Sequence, residues 1–145
     1  MLGWNQVDDI LFPLNLSNTH WVLCALHLQE WFIDIYDCDQ YVFRKRSFDK
    51  ILAPISKMLP YLFDRAMSDL EKAKFPKMNI QPIPYNRVPH TEVPRTKRSG
   101  DCGVYTIMYL EYLTSCLNMS NVIDEHMDFW RRKWAVRLFH RIIDP

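Results

Sequence analysis

The chain has little glycine, little net charge and no long hydrophobic run. Only 3 of its 145 residues are glycine, against 9 prolines, a balance that excludes a flexible linker protein and points to an ordered domain with stiff connections. Formal net charge is +1, so the chain as a whole makes no electrostatic case for nucleic acid or an anionic membrane. The clusters RKR (44–46), RTKR (95–98) and RRK (131–133) suggest a nucleic-acid role, but given the near-neutral total each is more simply a solvated face; RTKR could instead meet an acidic partner surface. No stretch approaches the roughly 18 uninterrupted apolar residues of a membrane span, and MLGWNQVDDILFPLN has neither the basic leader nor the apolar core of a secretion signal. The expectation is a soluble protein working inside the cell, in nucleus or cytoplasm, with no membrane partner. Cys24, Cys38, Cys102 and Cys116 form no C-x-x-C pair, which removes zinc grammar and, in a reducing compartment, predicts four separate thiols. There is no internal repeat.

What is present is apolar content of 48%, enough for the core of one domain over residues 1–145. Asp9 to Leu16 reads as a short strand, and HWVLCALHL (His20 to Leu28) as a strand buried on both faces. WFIDIYD (Trp31 to Asp37) follows after Gln29 and Glu30, predicting a hairpin, and YVF (Tyr41 to Phe43) adds a further short strand. Ser47 can cap a helix through Lys72, which Pro54 and Pro60 should kink or divide. Five prolines between Pro76 and Pro94 demand extended chain with one edge strand. Helices then run from Cys102 to about Leu117 and from about Ile123 to Ile143, the last one amphipathic. The fold class is α+β, a central mixed sheet flanked by helices. Trp4, Trp31, Trp130 and Trp134 are expected as core or groove wall, Cys24 as core, Cys38 as exposed, and His27, His90, His126 and His140 in structural or surface roles.

Two of the three glycines, Gly100 and Gly103, stand beside Cys102 in SGDCGVY. A thiolate at the start of a helix is stabilised by unpaired backbone N–H groups and the positive end of the helix dipole. The glycines let backbone approach a substrate closely, and the N–H groups of Cys102 or its neighbours can face a developing oxyanion. Asp101 suits a helix N-terminus, yet its charge opposes thiolate formation. In the hairpin, pairing Leu28 with Trp31 puts Val22 opposite Asp37 and makes Asp37 the diagonal neighbour of His20, within side-chain reach. A carboxylate there can orient an imidazole, which in turn can deprotonate a thiol.

HW at 20–21, IYD at 35–37 and SGDCGVY at 99–105, in that order, resemble the SUMO-specific, Ulp/adenain-type cysteine proteases, particularly plant members from transposon-derived genes. The resemblance implies a cysteine-protease fold with the nucleophile at a helix N-terminus, His20 as base, Asp37 as orienting acid and Cys102 as nucleophile. It also implies that Trp21 covers a channel holding the Gly-Gly tail of a ubiquitin-like protein. No cofactor is implied, and the partner would be a SUMO-like protein or its conjugates. Where the family carries an oxyanion-binding glutamine, six or seven residues before the cysteine, this chain has Thr96 and Arg95, which offer a hydroxyl and a charge instead. Only nineteen residues precede His20, fewer than the family places there, which predicts a domain shortened on its N-terminal side. The alternative activity is a protease-derived module that holds a ubiquitin-like protein and cuts it poorly or not at all.

Overall fold

Strand alternation sorts the apolar residues of this chain onto two faces of one sheet, and the helices follow. In the computed structural model, which describes residues 3–143, the strands are β1 (Asp9–Leu16), β2 (His20–His27), β3 (Phe32–Tyr36) and β4 (Tyr85–Arg87). They lie in that order, with β1, β2 and β3 antiparallel and β4 parallel to β3 at the edge. Ser17 and Asn18 both adopt positive φ in the turn between β1 and β2, a conformation that asparagine tolerates better than most residues. Register in the second hairpin is as the sequence predicts, with Cys24 opposite Ile35 and Leu23 opposite Tyr36. Its loop is longer than the two polar residues, covering 28–31 and closed by Trp31 at φ 55°. Residues 41–43 form turn and bend rather than a strand; Tyr41 and Val42 are exposed and have no strand to pair with.

One face carries Val22, Cys24, Leu26, Ile33 and Ile35, which pack with Phe48, Leu52 and Phe63 of α1 (Lys45–Ala66). The buried positions of α1 recur at 48, 52, 56, 60 and 63, a single stripe along the helix. Pro54 and Pro60, expected to kink or divide the helix, do not divide it, and Ser47 is not its cap: Arg44 is the N-cap, and α1 runs from Lys45 to Ala66 with both prolines inside. Pro60 leaves the Ser56 carbonyl without its helical donor. That carbonyl accepts the Ile83 N–H at 3.0 Å, while the Ser56 hydroxyl donates to the Ile83 carbonyl at 2.7 Å. The proline-rich segment thereby supplies the bond that the helix loses. The helix ends at Ala66, and Ser68 starts a separate short helix, α2 (Asp69–Lys72), through a capping box with Glu71.

The opposite face presents Leu23 and Tyr36 to α3 (Cys102–Thr114), through Tyr105, Met108 and Tyr109. Behind it α4 (Met127–Ile143) contributes Met127, Trp130 and Trp134 to the same cluster, and leaves Phe129, Val136, Leu138 and Phe139 exposed. His27 has a structural role and bridges three strands: Nδ1 lies 2.7 Å from Asp9 and Nε2 3.3 Å from Asp34. Among the described residues no helix is long and apolar enough to cross a membrane.

Candidate active site

Strand alternation puts His20 at the open end of the face occupied by Val22 and Cys24, and Trp21 on the other. Asp37 follows β3 directly and shares the His20 face, as the register requires. Its carboxylate is fully buried and His20 is 4% exposed. His20 Nε2 meets Asp37 Oδ1 at 2.7 Å, and the Asp39 N–H donates to the same oxygen at 2.9 Å. Arg87, on the edge strand β4, donates to Asp37 Oδ2 from Nη2. Burial alone would raise the Asp37 carboxyl, but the hydrogen bonds from His20 and Arg87 and the guanidinium charge outweigh it and hold the group below the usual carboxylate range. With Nε2 engaged by a carboxylate, Nδ1 is the ring nitrogen left to accept a proton.

Cys102 is the first residue of α3 and is partly exposed. The Asp101 carbonyl accepts the Tyr105 N–H at 3.0 Å, so the N–H groups of Cys102, Gly103 and Val104 precede the first helical hydrogen bond and are free to bind an anion. His20, Cys38, Thr96, Arg98, Gly100 and Cys102 line one cavity of about 140 Å³. The residue expected to oppose the thiolate, Asp101, is itself held by Arg98, with Nε 3.2 Å from Oδ2, and by Arg131 of α4. Its negative charge is thereby matched.

On the far side of the α3 N-terminus a second, more apolar cavity of about 440 Å³ is lined by Trp21, Gly100, Gly103, Val104 and Ile107, with Arg131 at its rim. Gly100 borders both cavities and sits at φ +87°, where a side chain is strained whatever space surrounds it. Trp21 is 41% exposed, and its ring edge lies 4.0 Å from where a Gly103 side chain would begin. It therefore stands over the first turn of α3.

Arg95 and Thr96 diverge. Arg95 turns towards Asp39, at 3.7 Å, and stacks on the Tyr41 ring at 4.1 Å. Thr96 lines the cavity, but its hydroxyl lies 3.0 Å from Asp124 Oδ1 and 2.9 Å from the Arg98 carbonyl. Asp124 also accepts the Lys97 N–H at 3.1 Å and the Tyr105 hydroxyl at 3.3 Å. One carboxylate thus clasps the segment that precedes Cys102. Lys97 pairs with Glu125 at 2.5 Å and Arg98 with Asp101, Asp124 and Asp128, so much of the RTKR charge is met within the chain.

Cys38, expected to be exposed, is buried beside Asp37, and burial followed by the Asp37 charge pushes its thiol upward. Ligand atoms of His20, Asp37 and Cys38 lie within 4.8 Å of one another, a donor set that could hold a soft divalent ion. The carboxylate oxygens and His20 Nε2 are already spent on each other and on Arg87, however, and the Cys38 thiol is held protonated. Two residues of this site escaped the sequence reading. Arg87 carries a weak signal, a cation alternating with Tyr85 on one face of an edge strand; Asp124 carries none.

A family model described as the Ulp1 protease family, C-terminal catalytic domain, matches residues 4–145. Solved structures share the fold. The SUMO protease Ulp1 with its catalytic cysteine oxidised to a sulfonic acid has a TM-score of 0.62 at 21% identity, covering 90% of this chain and 52% of that one. The C-terminal Ulp1 protease domain in complex with Smt3, the yeast orthologue of SUMO, has a TM-score of 0.53 at 21% identity, covering 81% of this chain and 46% of that one. The chain thus spans about half the length of these solved chains. A comparison with curated proteins finds no match.

Proposed function

The chain belongs to the Ulp1 protease family, through that family's C-terminal catalytic domain, and on that premise we propose that it is a cysteine peptidase cleaving after the Gly-Gly end of a SUMO-like protein. The observation that carries the reading is the pairing of His20 with Asp37 at 2.7 Å on the wall of the cavity that also holds Cys102. In this reading Asp37 keeps the Nε2 proton of His20 in place, so that Nδ1 takes the proton of the Cys102 thiol. The thiolate attacks the carbonyl carbon of the second glycine, and the oxyanion settles against the N–H groups of Cys102 and Gly103. As the tetrahedral intermediate collapses, the imidazolium gives its proton to the leaving amine and an acyl-enzyme remains. Water, deprotonated by His20, then attacks the thioester, and the carboxylate and free thiol are released.

Thr96 and Arg95 are the remaining oxyanion candidates. Thr96 reaches the cavity wall while its hydroxyl serves Asp124, and Arg95 is engaged by Asp39 and Tyr41. The backbone N–H groups accordingly carry the oxyanion, without a fixed side-chain amide, and catalysis is slow by about 100- to 1,000-fold relative to a site with one more donor. Trp21, over the α3 N-terminus beside Gly100 and Gly103, closes the channel for the glycine tail, where any side chain on the substrate would clash. A SUMO-like precursor with a C-terminal extension tests the proposal. Release of the extension by the wild-type chain, and none by Cys102→Ala or His20→Ala, is expected; release that survives Cys102→Ala would refute it.

A further inference from the structure

Asp37 lies beyond the last residue of β3, where no sheet hydrogen bond fixes it. Its Oδ1 is held by His20 and the Asp39 N–H, and its Oδ2 is held from β4. Parallel pairing sets Arg87 opposite Ile35, two residues before Asp37 and on the same face. The guanidinium is held at three places: Nη2 on Asp37 Oδ2, Nη1 on the Phe43 carbonyl at 2.8 Å, and its plane over the Phe48 ring at 4.1 Å. Its side chain is 14% exposed, and Asp37 is wholly buried.

We propose that Arg87 is a positioning residue for the His20–Asp37 pair, keeping a buried carboxylate ionised and turned so that Oδ1 faces the imidazole. The inference rests on the peptidase reading above. A buried carboxyl without a cationic partner is driven towards its neutral form. Neutral Asp37 would carry a proton of its own and would no longer hold the Nε2–H tautomer of His20. Nδ1 would then often bear the ring proton, and the Cys102 thiol would lose its acceptor. Arg87 touches neither substrate nor nucleophile; it acts through Asp37 alone.

The test is Arg87→Met, which keeps an aliphatic chain over Phe48 while removing the cationic fork. Two readouts are taken: hydrolysis of a fluorogenic SUMO C-terminal substrate, and the pH titration of the Asp37 side-chain carboxyl carbon by NMR. The expected result is a fall in kcat of about 10- to 100-fold with KM little changed, and a shift of the Asp37 titration to higher pH. Arg87→Lys should recover part of both. In an Asp37→Asn background Arg87→Met should cost no further rate, because nothing is left for it to position. If Arg87→Met does not fold, judged by near-ultraviolet circular dichroism, Arg87→Lys carries the test with a smaller shift in the same direction. A wild-type chain that hydrolyses nothing, while the Asp37 titration still moves in Arg87→Met, upholds the positioning role and removes the peptidase reading. A folded Arg87→Met with unchanged kcat and unchanged Asp37 titration overturns the proposal, as does an equal loss of rate in the Asp37→Asn background.

Discussion

Replacing Asp124 by asparagine should loosen the wall of the cavity that holds Cys102 and His20 without touching either side chain. The Asp124 side chain is 10% exposed and accepts three hydrogen bonds, from the Thr96 hydroxyl, the Lys97 N–H and the Tyr105 hydroxyl, at 3.0, 3.1 and 3.3 Å. Burial would raise its carboxyl, but the Lys97 and Thr96 bonds and the Arg98 charge hold it below the ordinary carboxylate range. An asparagine oxygen can keep some of these bonds but not their charge-assisted strength, which is worth about 1 kcal/mol more per bond. Because the three share one acceptor, the combined loss is set at about 2 kcal/mol rather than their full total. For a chain of this size that lowers Tm by roughly 4–8 °C. Thr96 and Arg98 line the cavity of Cys102, so if about 1.4 kcal/mol of the loss appears as poorer positioning, kcat/KM falls about tenfold. The lowered carboxyl fixes the pH sign: the contribution is complete above the unfolded value near 3.8 and is lost as pH falls through the folded value. Urea denaturation of wild type and Asp124→Asn at pH 7 and pH 3, with hydrolysis measured at neutral pH, checks both parts. Equal stability and activity at pH 7, or a stability gap as large at pH 3 as at pH 7, would refute the reasoning.

The His27 bridge gives the opposite pH dependence. Burial works against its charge, but the hydrogen bonds and charges of Asp9 and Asp34 prevail and raise it above 6.5. Its stabilisation is complete below that value and fades as pH rises through the folded one. His27→Asn should therefore cost stability at pH 6, by about 1 kcal/mol or less for so exposed a cluster, and much less at pH 9; a gap that grows with pH in urea denaturation would contradict this. Alkylation separates the thiols. In the native protein iodoacetamide should modify Cys116, which is exposed, and Cys102, but not Cys24, whose thiol burial pushes up to about 12, nor Cys38. Modification of Cys38 as fast as Cys102, read by peptide mass spectrometry, would place Cys38 wrongly in the core.

The parts of the site governed by local periodicity were legible in the sequence, and the parts made by distant segments were not. Alternation along β2 and β3 sets the register, and the register alone brings Asp37 within reach of His20. The continuity of α1 was not legible, because the donor that satisfies Ser56 in place of Pro60 comes from Ile83, twenty-seven residues away. Burial of Cys38 follows from the 88–96 segment folding back over it, where the Thr96 N–H binds the Cys38 carbonyl at 3.0 Å. Arg87 reaches Asp37 across 50 residues and Asp124 reaches Thr96 across 28, separations over which a single sequence has no periodicity to read. Proximity of Cys102 to His20 entered through the family resemblance; their shared cavity supports it independently.

Covalent capture tests the central claim most directly: a SUMO-like protein ending in Gly-vinyl sulfone is offered to the reduced, folded chain. The account predicts one adduct, mapped to Cys102, absent in Cys102→Ala and slowed in His20→Ala. Binding of the probe without an adduct, or an adduct that persists in Cys102→Ala, would contradict it.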